Sequence, residues 1–165
     1  MGHPATLTGR HARALTSLAV MSLLGCAQLQ FHLREPGEVN RGFPEEVAAE
    51  YDCAKRRLPF FEVELDQLVP DRVAPGREFN HRLQYVVCPV EATEVVRGTL
   101  HTRILFRGEA IHSETSPREL RPGRWVVDEF IRLPSDAQPG IYALQSEFRS
   151  PHGHFDARST FLVEP

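Results

Sequence analysis

Most of the chain after residue 57 alternates between apolar and polar positions with a period of two, which is typical of half-buried β-strands. Between Phe79 and Val87, every odd-numbered residue is phenylalanine, histidine, leucine, tyrosine or valine, and the residues between them are mainly polar. His81 falls on the apolar face of this segment, where we expect a hydrogen-bonded core histidine. Turns rich in proline and glycine separate the segment at residues 79–87 from similar segments at residues 58–66, 100–106, 110–115, 125–133, 141–148 and 155–163.

The first of these segments has a regular alternation that predicts one buried and one solvated face. Paired carboxylates can serve glycoside hydrolysis, but the alternation already explains Glu62 and Glu64 as part of a solvated strand face. The expected buried face consists of Phe61, Val63 and Leu65, and the expected solvated face consists of Glu62, Glu64 and Asp66.

About seven short strands at regular spacing predict an all-β fold, in which two antiparallel sheets pack face to face as a β-sandwich. A short amphipathic helix is expected before them, over residues 43–54. Pro44 stands near its first turn, acidic residues follow where the helix dipole favours them, and basic residues 55–57 come after its end.

The segment Leu-Pro-Ser-Asp-Ala-Gln-Pro-Gly-Ile-Tyr-Ala-Leu at residues 133–144 resembles the corner between strands E and F of immunoglobulin-like and fibronectin-type domains. The resemblance covers roughly residues 58–165 and implies an immunoglobulin-like β-sandwich, in which the hydroxyl of Tyr142 holds the corner. Cys53 precedes the first core strand, and Trp125 comes too late to be the strand-C tryptophan. The resemblance therefore implies an architecture and supplies no functional site.

The first 25 residues have the pattern of a signal peptide. Arg10 and Arg13 precede an uncharged apolar run at residues 14–24, which is shorter than the roughly 20 residues of a transmembrane helix. The run ends in Leu-Leu-Gly-Cys, which resembles the lipobox of bacterial lipoproteins and implies cleavage before Cys26 and acylation of that residue with chains such as palmitate. The alternative is an ordinary signal peptide in which Cys26 is incidental.

Lipidation of Cys26 would place the protein in the cell envelope, attached to a membrane by its lipid. Ala27 follows the cysteine, and lipoproteins kept in the inner membrane often carry aspartate there, so we expect the outer membrane, facing the periplasm. Residues 26–42 contain two glycines, a proline and little apolar periodicity, and they are predicted to be a flexible lipidated tether. The β-sandwich domain with its short helix would then occupy residues 43–165.

The charge balance argues against a nucleic-acid partner. The chain has 19 basic and 22 acidic residues and a formal net charge of −3. Removal of residues 1–25 would also remove Arg10 and Arg13. The mature chain would be more acidic, and it has no dominant basic patch.

Two cysteines remain after Cys26 is assigned to the lipid. Cys53 and Cys88 would lie in an oxidising compartment, where a disulfide is the expected state. The bridge would add about 3–4 kcal/mol to the free energy of unfolding, because it closes a loop and so lowers the entropy of the unfolded chain. The alternative is a pair of buried free thiols.

The sequence shows no catalytic constellation and implies no cofactor. No serine has the Gly-x-Ser-x-Gly context of a nucleophile elbow. A metal-dependent hydrolase would require the dispersed histidines to converge, although their spacing is more typical of polar turns. These histidines are His101, His112, His152 and His154.

We therefore expect a non-catalytic interaction module that binds an envelope protein or glycan through loops or an edge strand. The first alternative is a carrier that holds a small ligand or lipid in a cavity between the sheets, and the second is the metal-dependent hydrolase. A carrier needs aromatic residues to line a slot, whereas alternation favours them as ordinary core. The aromatic residues concerned are Phe60, Phe79, Phe106, Trp125, Phe130 and Phe161.

Overall fold

The computed structural model describes residues 34–165, which form two β-sheets packed face to face and one short helix on the outer surface. Cys26 and the predicted signal peptide lie outside the described residues. The elements in chain order are β1 (Gly37–Gly42), α1 (Pro44–Glu50), a 3₁₀ turn (Cys53–Lys55), β2 (Phe60–Val69), β3 (Arg72–Val73), β4 (Glu78–Cys88), β5 (Val96–Phe106), β6 (Glu109–Leu120), β7 (Gly123–Arg132), β8 (Gly140–Ser150) and β9 (Gly153–Val163).

The two sheets have the strand orders β1-β7-β4-β2 and β3-β9-β8-β5-β6. All neighbouring strands are antiparallel except β3 and β9, which run parallel. The predicted all-β architecture with two packed sheets is confirmed. The predicted number of about seven strands is too low, because β1 and β3 are also paired, and the sheet that contains β3 is mixed rather than purely antiparallel.

β1 occupies part of the segment that was predicted to be a flexible tether. Gly37–Gly42 pairs with β7 at the edge of its sheet, and Val39 is half exposed at 50%. The chain is also fixed just before β1, because Arg34 donates hydrogen bonds to the side chains of Asn80 and Gln67, each at 2.6 Å. The tether prediction is therefore wrong for residues 34–42. Main-chain pairing at a sheet edge orders this segment, and such pairing requires no apolar pattern.

The space between the sheets is filled by two apolar clusters, one toward each end of the sandwich. Most of the aromatic residues belong to these clusters or pack against them, as expected for ordinary core. One cluster includes Leu68, Phe79, Ile104, Leu133, Tyr142 and Phe161, with Phe106 packed against it, and the other includes Leu83, Tyr85, Val127, Phe148 and Phe155, with Trp125 packed against it.

A β-bulge in β2 changes which residues face the core. The pairing of β2 with β4 shifts between Val63 and Leu65, so Asp66 pairs with Leu83 and points inward with it. Leu65 lies on the outer face and is 38% exposed, whereas the side chain of Asp66 is only 15% exposed. The predicted inward Leu65 and outward Asp66 are both wrong, because one inserted residue reverses the alternation of a strand.

The helix covers part of the outer face of the four-stranded sheet. It ends earlier than predicted, because Asp52 has a left-handed backbone conformation with φ of 51° and separates it from the 3₁₀ turn. The predicted disulfide between Cys53 and Cys88 is present, with the two Cα atoms 6.1 Å apart. It joins the 3₁₀ turn to the end of β4 beside the buried Val47 and Val86. Within residues 34–165, no helix is long and apolar enough to cross a bilayer.

The predicted tyrosine corner is also present. The hydroxyl of Tyr142 donates a hydrogen bond of 2.8 Å to the main-chain oxygen of Gln138, and the tyrosine is 2% exposed. This bond ties the start of β8 to the loop that precedes it.

Candidate binding site

Polar side chains form a layer between the two apolar clusters. His81 is 3% exposed, and its Nε2 atom lies 2.7 Å from Oδ1 of Asp66. The main-chain oxygen of Asp66 accepts a hydrogen bond from the hydroxyl of Ser159 at 3.0 Å. The prediction of a hydrogen-bonded core histidine is therefore confirmed, and the bulge in β2 supplies its partner.

A small cavity of about 20 Å³ adjoins this layer. Its polar lining comes from both sheets. His81 and Glu129 belong to the four-stranded sheet, and Arg118 and Ser146 belong to the five-stranded sheet. Ser146 is 3% exposed, and its hydroxyl makes no hydrogen bond to any residue between 34 and 165. The volume holds about one water molecule, so this cavity is too small for an apolar ligand.

The cavity opens toward a larger groove between β6 and β7, which we call the β6 groove. The groove has a volume of about 450 Å³ and shares Leu100, Arg118, Val127 and Glu129 with the cavity. It lies at the side of the sandwich where β6 and β1 are the outermost strands. β1 pairs with β7 only as far as Asp128, so the groove extends beside the remaining residues of β7.

β6 forms one wall of this groove and is the outermost strand of its sheet. In the part of the chain that the structure describes, it pairs with β5 and with no other strand. Residues 109–115 are all exposed, and Ile111 is 42% exposed. The main-chain groups along the outer edge of β6 are therefore available to a further strand.

Some of the charged groups at the groove are already neutralised by partners. Asp128 forms an ion pair of 2.7 Å with Arg82. Glu38 accepts a hydrogen bond of 2.7 Å from the Tyr85 hydroxyl, and Arg118 lies 4.0 Å from the same carboxylate. Burial, together with this hydrogen bond, raises the pKa of Tyr85.

Two carboxylates in the groove remain uncompensated. Glu114 on β6 and Glu129 on β7 both line the groove. Neither carboxylate forms a hydrogen bond or an ion pair with any residue that the structure describes. Glu129 also faces inward, because it pairs with His81 on the neighbouring strand. The groove therefore combines apolar walls with two unpaired carboxylates, and Arg118 also lines it.

The two glutamates of the first predicted strand lie in different environments. Glu62 is exposed, whereas the side chain of Glu64 is 15% exposed and bonds to Arg124, Gln84 and Tyr51 on neighbouring elements. Burial would raise the pKa of Glu64, but the hydrogen bonds from these three residues outweigh that effect and lower the pKa below its usual value. Glu64 thus acts as a structural link rather than as part of a solvated face.

The predicted metal ligands are not brought together. His112 lines the β6 groove, whereas His101 lies on β5 with its Nδ1 atom 3.1 Å from the Thr115 hydroxyl oxygen. His152 and His154 lie at the β8–β9 turn, beside Pro59. Among the described residues, no group of three or more histidine, cysteine, aspartate or glutamate side chains is placed to hold a metal ion.

The groove residues were missed in the sequence, although a signal for them exists. Glu129 interrupts the apolar face that Trp125, Val127 and Ile131 present on β7. Ser146 interrupts the corresponding face of β8. Polar residues at core-facing positions on several strands are the expected trace of a polar layer, but the strands must first be placed side by side.

Comparisons with known proteins give partial likenesses only. No protein-family profile matches the chain, and no curated protein matches it. The sporulation control protein of Bacillus subtilis is similar in structure over 64% of this chain and 49% of its own, at 17% identity and a TM-score of 0.47. A family 123 glycoside hydrolase from Clostridium perfringens (56% and 22% covered, 14% identity, TM-score 0.39) and a β-glucuronidase from Parabacteroides merdae (62% and 14% covered, 15% identity, TM-score 0.40) are also similar.

The chain thus spans about half the length of the first of these proteins and less than a quarter of the other two. At these identities and TM-scores, the likenesses do not indicate a shared function.

Proposed function

We propose that this protein is a lipoprotein of the cell envelope, attached through Cys26, and that its immunoglobulin-like domain is a non-catalytic binding module. The anchor rests on the resemblance of residues 23–26 to a lipobox. The immunoglobulin-like assignment is supported by the two packed sheets and by the bond from the Tyr142 hydroxyl to Gln138. The partner is an envelope protein or a glycan.

The observation that carries the binding role is the exposed edge of β6 beside the β6 groove. A long edge strand with unpaired main-chain groups is a liability that proteins usually cover. Here residues 109–115 remain exposed next to a groove of about 450 Å³. An edge of this kind is a recurring docking surface for partner chains. By contrast, the cavity of about 20 Å³ between the sheets gives a carrier very little room.

With a lipid on Cys26, the short connecting segment would keep this surface close to the membrane. Only seven residues separate Cys26 from Arg34, which is the first residue held by side-chain bonds to the domain. A fully extended chain covers at most about 3.6 Å per residue, so the span is below about 30 Å. We therefore expect the partner to lie at the membrane or within the nearby envelope layer.

Co-purification from mildly cross-linked cells tests this proposal. The lipidated protein is compared with a soluble Cys26→Ser form that carries an ordinary signal peptide. We expect membrane retention only for the form with Cys26, and recovery of the same protein or glycan partner with both forms.

Membrane retention of the Cys26→Ser form equal to that of the protein with Cys26 would contradict the lipid anchor. Recovery of no partner with either form would contradict the binding role.

A further inference from the structure

We infer that the partner is a polypeptide that adds an extended strand to the free edge of β6 and inserts a basic side chain into the β6 groove between Glu114 and Glu129. This inference rests on the proposed binding function and specifies its partner. Two independent features of the site carry it, namely the direction of the main-chain groups and the chemistry of the groove.

The main-chain feature follows from Pro117 within β6. Proline has no main-chain N–H and fits inside a paired edge strand where its nitrogen faces away from the neighbouring strand. Pro117 pairs with Thr99 on β5, so its nitrogen is assigned to the outer edge. The main-chain N–H and C=O groups of successive residues point alternately to the two sides of a strand. Those of Ser113 and Thr115 therefore face the same open edge as the nitrogen of Pro117. A partner strand can bond to them without disturbing the β5–β6 pairing.

The groove feature follows from the side chains next to that edge. Side chains alternate between the two faces of a strand, and Glu114, Ser116 and Arg118 face inward with their partners on β5. An added strand would place its own inward side chains beside Glu114 and opposite Glu129 on β7. These residues would enter the β6 groove directly.

The unpaired charges select the chemistry of the entering side chain. Glu38 and Asp128 already have partners, whereas the carboxylates of Glu114 and Glu129 have none within the described residues. Lysine or arginine would place a positive charge beside both carboxylates and form charge-assisted hydrogen bonds with them.

A third observation comes from the inner end of the groove. Ser146 is 3% exposed, its hydroxyl has no hydrogen-bond partner among residues 34–165, and it lines the cavity that also contacts Glu129. This cavity has room for about one water molecule. Such a water molecule would connect the hydroxyl to a basic head group in the groove.

The same features favour a polypeptide over a glycan. Free main-chain donors and acceptors at a regular spacing match another strand, and this kind of strand addition derives affinity from the main chain and specificity from alternate side chains. The other long edge strand, β2, suits this less well, because its bulge at residue 64 interrupts the regular spacing.

A random peptide library provides the test. Displayed twelve-residue peptides are selected on the purified protein, and the enriched peptides are synthesised for affinity measurements. We expect enriched peptides with one lysine or arginine at a fixed position among β-branched residues. Glu129→Gln and Glu114→Gln should each weaken binding about tenfold or more, because a charge-assisted bond is lost.

Matched variants separate these effects from general changes in charge or folding. Glu62→Gln removes an exposed carboxylate from β2 and should leave affinity unchanged. Ser113→Pro should abolish binding by removing an outward N–H, whereas Ser113→Thr should retain it. Thermal unfolding of each variant shows whether the domain is folded, and Glu129→Gln provides the test if Ser113→Pro does not fold.

Enriched peptides without a basic residue, or affinity unchanged by Glu129→Gln, would overturn this inference. The proposed binding function would survive that result if the cross-linked cells still yielded a partner. Failure to enrich any peptide, together with retention of the protein on an envelope polysaccharide, would also overturn the inference and leave the binding function intact.

Discussion

At the scale of single residues, buried polar groups with specific partners shape this domain. Three such groups are each largely removed from solvent and hydrogen-bonded, namely the Tyr142 hydroxyl, the His81 ring and the Asp66 carboxylate. A buried polar group that loses its partner keeps the full cost of its desolvation. These bonds therefore favour one arrangement of the strands over others.

The Tyr142 corner gives a direct test of this effect. Tyr142→Phe removes the hydroxyl that bonds to the Gln138 main-chain oxygen, and we expect it to lower the free energy of unfolding by about 1 kcal/mol. Gln138→Ala is the control, because it keeps the main-chain acceptor and should be nearly neutral. Urea unfolding measures both, and equal stability of Tyr142→Phe and the original protein would contradict a stabilising corner bond.

At the scale of secondary-structure elements, one ion-pair cluster joins the helix to two strands. Arg124 on β7 contacts Glu50 on α1 at 2.8 Å and Glu64 on β2 at 2.7 Å. The pKa of Arg124 is raised by its hydrogen bonds to Glu64 and Glu50. The helix is short, and its position depends on this cluster together with the disulfide and the apolar contacts of Val47.

The cluster predicts a loss of stability in acid. The pKa of Glu64 is lower in the folded protein than its usual value. Its contribution to the free energy of unfolding is therefore complete above the unfolded pKa of about 4.3. The contribution is lost as pH falls through the lower folded value. Urea unfolding between neutral and acidic pH should show this loss, and Glu64→Gln should reduce it. A pH dependence in Glu64→Gln identical to that of the control Glu62→Gln would contradict this role.

At the scale of the whole molecule, the sandwich is filled at its centre and open at one side. Aromatic pairs such as Phe79 with Phe161, at 4.8 Å between ring centroids, close the inner space at one end. The open side lies between β6 and β7, where the polar layer reaches the surface. Binding at this side requires no change in the core.

This arrangement predicts a result for the carrier alternative. A dye that becomes fluorescent in hydrophobic pockets should show no enhancement with the folded protein, because the cavity between the sheets has space for about one water molecule. The same dye with the protein in acid, partly unfolded, serves as the positive control. Strong fluorescence with the folded protein would favour the carrier.

The sequence by itself determined the all-β class, most of the strands, the Cys53–Cys88 pair and the Tyr142 corner. These features have local signals, because alternation, turn residues and a Pro-Gly-x-Tyr segment lie within a few positions along the chain. The lipid anchor at Cys26 also has a local signal, and it stays a prediction. The sequence pattern did not reveal β1, because an edge strand with one paired neighbour needs no continuous apolar face.

Only the tertiary structure decided which residues meet. The bulge in β2 reverses the side on which Leu65 and Asp66 lie, and this reversal pairs Asp66 with His81. Glu114 and Glu129 share one groove although they lie on strands in different sheets. Strand order and register depend on pairing across the whole domain, and one inserted residue is enough to exchange the buried and exposed faces of a strand. The candidate site is therefore a property of the packed sheets, and no single segment of the sequence contains it.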